Sequence, residues 1–141
     1  MITVILATHG PLAEALLSSA RMVYGELPHV FPVMLSETKG INDFRDEFAG
    51  VLHQARKGAD GVLVLCDLQS GTPWNVACHH AFDPATTPPM AVLSGVNFPM
   101  LLLSDELKDL DIEHAARELL DQARNAVVQA RLVETQQSDD F

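Results

Sequence analysis

Four short runs of nearly unbroken apolar residues punctuate the chain: ITVILAT at 2–8, VFPVML at 30–35, GVLVLCDL at 61–68 and MAVLS at 90–94. A strand with one face in water alternates apolar and polar side chains, so runs that stay apolar at successive positions belong to strands covered on both faces. The intervening segments carry helical periodicity. Pro11 to about Tyr24 places Leu12, Ala15, Leu16, Ser19 and Val23 at helix spacing, and Ile41–Arg56 lines up Phe44, Phe48, Val51, Leu52 and Ala55 on one stripe. Further helices are predicted over about Trp74–Phe82, Pro99 to about Leu107, and Ile112–Val128, the last with Ala115, Leu119, Ala123, Ala126 and Val127 facing inward. Strands buried on both faces and alternating with helices predict a doubly wound α/β fold: a mainly parallel four-stranded sheet, helices on both faces, right-handed crossovers. Residues 129–134 offer a short fifth strand, and 135–141 read as an acidic tail.

Length and charge narrow the function. With 141 residues, 48% of them hydrophobic and 20% charged, the chain suits a single domain over 1–134. The formal charge of −10 argues against a nucleic-acid partner, whose phosphates would be repelled over most of the surface. No run of eighteen apolar residues occurs, and the chain opens on Ile-Thr-Val-Ile-Leu without a basic leader, which predicts a cytoplasmic protein with no direct membrane insertion. Cys66 and Cys78 show no metal-ligand spacing, so both are read as buried small hydrophobes, and neither a metal nor another cofactor is expected. Walker A and GxGxxG patterns are absent, which removes the common nucleotide-binding readings. Ser70 and Thr72 lack a GxSxG elbow and sit at turn and cap positions, where hydroxyls are common for local reasons. Asp67 after a strand would suit an aspartyl-phosphate receiver only with an acidic pair after the first strand, and that position holds Thr8-His9-Gly10.

In an open α/β sheet, ligands bind beyond the carboxyl ends of the strands, where successive connections leave to opposite faces. His9 ends the first run and Asp67 ends the third. A carboxylate that accepts the Nδ1 proton of an imidazole fixes the tautomer and leaves the Nε2 lone pair free as a nucleophile. After Asp67, the turn through Gln69, Ser70, Gly71, Thr72 and Pro73 leads into a helix whose backbone N–H groups favour an anion, and Gly10 and Pro11 do the same beside His9. The bland alternative has His9 capping the strand or bonding a carbonyl. His79 and His80 are adjacent on a helix and point about 100° apart, which is poor for chelating one ion. His29, His53 and His114 have no partner at suggestive spacing and are placed on the surface. Trp74 either walls the site or packs on the sheet.

Three boxes together resemble the IIA component of the mannose/sorbose family of the bacterial sugar phosphotransferase system. They are Thr8-His9-Gly10, the run Asp67-Leu68-Gln69-Ser70-Gly71-Thr72-Pro73-Trp74-Asn75, and Gly95-Val96-Asn97-Phe98-Pro99-Met100, at the ends of strands one, three and four, and the likeness spans residues 1 to about 130. The resemblance implies a phosphotransferase relay. His9 receives a phosphoryl group from the histidine phosphocarrier protein and passes it to a histidine of a IIB component, with Asp67 orienting the ring and Gly10, Ser70, Gly71 and Thr72 around the phosphate. It also implies a homodimer in which a C-terminal strand, here 129–134, crosses to the partner's sheet. Ser70 stands where the family has the first of two glycines, Thr72 where it has serine, and Phe98 where it has leucine. Two alternatives share the phosphohistidine: a regulatory phosphoprotein of the same family whose output is control of a partner protein, and a phosphoryl-donor subunit of a dihydroxyacetone kinase, whose loop the SGTPWN turn matches less well.

Overall fold

The computed structural model describes residues 1–132. Strands β1 (Ile2–His9), β2 (Val30–Leu35), β3 (Gly61–Cys66) and β4 (Met90–Leu93) alternate with helices α1 (Leu12–Val23), α2 (Gly40–Ala55), α3 (Thr72–Ala81), α4 (Phe98–Glu106) and α5 (Ile112–Asn125). The four strands form one sheet in the order β2-β1-β3-β4, and every pair is parallel. Residues 129–132 belong to no strand. The rest of the proposed fifth strand, 133–134, and the acidic tail lie outside the described residues.

Alternate side chains of the central strands feed two cores. Ile2, Val4, Leu6, Leu63 and Leu65 pack with α1, α4 and α5 on one face, while Ile5, Ala7, Val62, Val64 and Cys66 pack with α2 and α3 on the other. This two-sided burial is the reason β1 and β3 read as continuous apolar runs. In α2 the expected stripe is buried at Phe44, Phe48, Leu52 and Ala55.

Two helices depart from their expected faces. In α1 the buried residues are Ala13 and Ala20, with Leu16 and Leu17 half-buried, whereas Leu12, Ala15 and Ser19 are exposed. The Thr8 hydroxyl accepts the Ala13 N–H at 3.0 Å, which turns the Ala13 side of the helix toward the sheet. In α5 the buried set is Ile112, Ala115, Leu119 and Ala123, while Ala126 and Val127 are exposed. The Ala123 carbonyl accepts from the Asn97 side-chain amide at 3.1 Å, and the Val127 N–H bonds Arg124 instead, so the helix stops at Asn125.

Candidate functional site at the carboxyl ends of the first and third strands

The order β2-β1-β3-β4 makes β1 and β3 neighbours, and the chain leaves β1 for one face through α1 but leaves β3 for the other through α3. The switch point therefore lies between His9 and Asp67, as the sequence pattern predicts. His9 Nδ1 stands 3.0 Å from Asp67 Oδ2 and 3.2 Å from Oδ1, and the His9 backbone N–H donates to Oδ2 at 2.9 Å. Leu68 N–H donates to Oδ1 at 3.0 Å, so the carboxylate is held by three donors from two strand ends. A carboxylate only accepts, and the proton of the neutral imidazole is therefore on Nδ1, with Nε2 left as a lone pair. The His9 side chain is 39% exposed against 13% for Asp67, so the ring reaches solvent while its anchor does not.

Nε2 lies against Gly71. A Cβ at that position would sit 2.9 Å from Nε2 and 3.1 Å from Cε1, and Gly71 has φ +88° and ψ −179°, a backbone shape open essentially to glycine alone. Gly71 is also the residue that caps α3, with no side-chain bond to the cap. The Asn75 N–H bonds back to the Gly71 carbonyl at 3.0 Å, Pro73 has no N–H, and the amides of Thr72 and Trp74 precede the first intrahelical bond. The positive end of the α3 dipole thus faces the surroundings of His9 Nε2 with no acidic residue in its own first turn.

The amino end of α1 is arranged differently. The Gly10 N–H donates to the Leu35 carbonyl at 2.8 Å, the Ala13 N–H is taken by Thr8, and Glu14 sits in the first turn. Gly10, with φ +59°, turns the chain, and of the two helix ends that of α3 is the more receptive to an anion. Among the described residues positive φ occurs only at glycines, so Ser70, exposed in the loop, adopts an ordinary backbone. Burial first, and then the neighbouring Asp67 charge, push the Cys66 thiol up to about 12, so it stays a thiol at neutral pH.

The remaining expectations divide. Asn97 in the third box is a helix cap: its side chain accepts the Met100 N–H at 2.9 Å, and Val96 N–H bonds the Cys66 carbonyl at 3.0 Å, which ties this box to the end of β3. Trp74 packs half-buried against the α2–α3 core. His53 and His114 are exposed, but His29 is buried at 3% exposure, because the loop before β2 folds under α4, where Nε2 meets Ser104 Oγ at 3.0 Å. Cys66 is buried and Cys78 only half-buried. The Thr8 cap escaped the sequence reading, since a hydroxyl five residues ahead of the amide it accepts fits no local capping pattern. No described helix is long and apolar enough to cross a membrane.

Comparison with known proteins points to one family. The family model described as EIIA-man, PTS system fructose IIA component, matches residues 3–104, a span containing His9, Asp67 and Gly71. The chain is 33% identical over 102 residues to the sorbose-specific EIIA component of Klebsiella pneumoniae, covering 72% of this chain and 71% of that protein. It is 30% identical over 110 residues to the mannose-specific EIIAB component of Escherichia coli K12, covering 78% of this chain but 33% of that longer protein. The mannose/sorbose-specific IIA subunit from Enterococcus faecalis superposes with a TM-score of 0.79 at 29% identity, over 92% of this chain and 95% of that one.

Proposed function

Because this chain belongs to the mannose/sorbose EIIA family of the phosphotransferase system, a family of phosphotransfer relay proteins, we propose that His9 is its relay residue. In this reading His9 accepts a phosphoryl group on Nε2 from the histidine phosphocarrier protein and hands it to a IIB component. The observation that carries the proposal is the pairing of Nδ1 with Asp67 while Nε2 faces the unblocked amino end of α3 across Gly71.

The chemistry follows from that arrangement. The Nε2 lone pair attacks phosphorus in line, the donor's N–P bond breaks, and its electron pair returns to the donor imidazole. His9 keeps its Nδ1 proton throughout and becomes a cationic phosphoimidazolium, which Asp67 stabilises at 3.0 Å. The Thr72 and Trp74 amides and the α3 dipole favour the equatorial oxygens, with Gly71 leaving room for them. Gly10, Ser70 and the Thr72 hydroxyl complete the proposed surroundings of the phosphate. Both bonds are N–P bonds of similar energy, so transfer is reversible.

The dimer reading draws support from the two sheet edges. In β2 the outward-facing backbone belongs to Val30, Pro32 and Met34; Val30 N–H already bonds Leu27, and Pro32 has none. In β4 Met90 and Val92 turn N–H and C=O groups outward with no proline among them. A strand from a second copy therefore fits beside β4, and residues 129–134 are the segment proposed to supply it.

The direct test is incubation with enzyme I, the phosphocarrier and phosphoenolpyruvate, followed by mapping of the acid-labile phosphate. His9 should carry it and His9→Ala should abolish it; label on another residue would refute the assignment.

A further inference from the structure

His29, expected on the surface, is a buried titratable group that the relay chemistry does not use. It lies in the loop before β2, at the end of the sheet opposite His9, and its side chain is 2% exposed. The His29 carbonyl accepts the Val4 N–H at 2.9 Å, and the Lys108 carbonyl accepts the Ile2 N–H at 2.7 Å, so both residues are pinned to the start of β1. Ser104, His29 and Asp105 stand in the order of a hydrolytic triad, but Ser104 is buried and its hydroxyl proton goes to the Leu101 carbonyl at 2.6 Å. No nucleophile is available there.

The serine fixes the state of the imidazole. With its one proton given to Leu101, Ser104 Oγ can only accept from His29 Nε2, 3.0 Å away, so the neutral ring carries its proton on Nε2 and a lone pair on Nδ1. Nδ1 is the one buried side-chain nitrogen or oxygen, among the described residues, that lacks a hydrogen bond. It faces Asp105 Oδ1 at 3.8 Å. That gap is too long for a hydrogen bond and, since two bonds through one water span about 4.5 Å, too short for a bridge. Two acceptors confront each other, and a proton on Nδ1 would turn them into a charge-assisted pair after closure by about 1 Å.

Asp105 is already engaged. Lys108 Nζ donates to Oδ1 at 2.6 Å and the Tyr24 hydroxyl donates to Oδ2 at 2.6 Å, and these bonds, Lys108 first, hold the carboxyl below the usual carboxylate range. Among the described residues, Asp105 on α4 and Lys108 just after it are the charged groups that bear on His29. Tyr24, at the end of α1, reaches the ring through Asp105, Glu26 in the same loop pairs with Arg21, and β1 adjoins His29 through the Val4 backbone. Asp105 is a quarter exposed and connects the ring to solvent. A protonated His29 and Lys108 would address the same oxygen, and two cations at one oxygen repel.

We propose that His29 and Asp105 form a proton switch: in acid, Nδ1 takes a proton from solvent by way of Asp105, Oδ1 passes from Lys108 to the imidazolium, and Lys108 is released to water while Oδ2 keeps Tyr24. The proton adds to the Nδ1 lone pair, no covalent bond breaks, and the molecule gains one positive charge. Burial lowers the ring's affinity for that proton, with Asp105 opposing, so the change falls below pH 6.5. A link between α4 and the loop before β2 then replaces one confined to the end of α4.

The test follows the imidazole nitrogens of the full chain, nitrogen-15-labelled, by NMR from pH 7.5 to 4.5, with His29→Gln identifying the signals. At pH 7.5 Nε2 should be protonated and Nδ1 bare. On acidification Nδ1 should gain its proton while the amide spectrum stays folded, and the Lys108 ammonium and Asp105 carboxyl signals should move with the same midpoint. Lys108→Met removes the competitor and should raise the midpoint by about 0.5 units or more, whereas Asp105→Asn removes the acceptor and should lower it by about one unit or more. A proton on Nδ1 at pH 7.5, a ring that titrates only as the chain unfolds, a Lys108 signal that stays flat through the midpoint, or a midpoint unmoved by Lys108→Met would each overturn the switch. If Asp105→Asn does not fold, Lys108→Met decides alone, because it leaves the hydrogen bonds of His29 in place.

Discussion

Replacing Gly71 by Ala tests the site at its tightest point. The new methyl group would lie 2.9 Å from His9 Nε2, closer than real Cβ atoms come to other atoms, so either the ring or the loop must move. The backbone at φ +88° and ψ −179° adds strain of about 1–3 kcal/mol for an L residue. If the loop holds its shape, that strain appears as a melting-temperature loss of roughly 3–10 °C in a domain of this size. If the ring gives way, Nε2 leaves its place beside the α3 amides, and a displacement of about 1 Å costs on the order of 100-fold in rate. Both effects are expected together. The assay is single-turnover labelling of His9 by phosphorylated phosphocarrier, with calorimetry on the same preparation. Gly58→Ala, away from the site, is the control: φ is +68° and a Cβ there meets nothing within 4 Å, so it should cost about 1 kcal/mol of stability and little rate. Wild-type labelling and stability in Gly71→Ala would refute both the contact and its role.

Three further outcomes are expected. Asp67→Ala should slow labelling of His9 about 10- to 100-fold, because the ring loses the partner that fixes its proton on Nδ1; an unchanged rate removes Asp67 from the mechanism. Burial lowers the pKa of His29, against the opposing pull of Asp105, so the unfolded chain binds more protons than the folded one below 6.5. The stability is fully present above 6.5, is lost as pH falls below it, and levels off beneath the lowered folded value. His80, also lowered chiefly by burial, contributes with the same sign. Melting temperature measured from pH 7.5 to 5 should therefore fall, and more shallowly in His29→Gln; identical slopes would contradict the buried neutral imidazole. If a partner strand joins at β4, wild type is dimeric in sedimentation and Val92→Pro, which places on the β4 edge the block that Pro32 places on β2, is monomeric at the same concentration; a monomeric wild type, or a dimer that persists in the variant, would refute the proposed interface.

Much of this molecule was legible locally. Consecutive apolar residues in β1 and β3 announce strands buried on both faces, because a strand's side chains alternate and no other arrangement hides both sets. The α2 stripe of Phe44, Phe48, Leu52 and Ala55 follows from a helix of 3.6 residues per turn, and the positions of His9 and Asp67 at strand ends predicted their meeting at the switch point. What only the tertiary structure decided depends on groups distant in sequence. The α1 face was set by Thr8 bonding Ala13, the end of α5 by Asn97 reaching Ala123, and the burial of His29 by α4 folding over it. The Gly10 amide went to Leu35 on a neighbouring strand, and it was Gly71 rather than Ser70 that required the glycine-only backbone. Periodicity reports which face is apolar, since that is a property of one segment. Which amide is engaged and which ring lies against which glycine are properties of segments brought together, and these exist only once the sheet has formed.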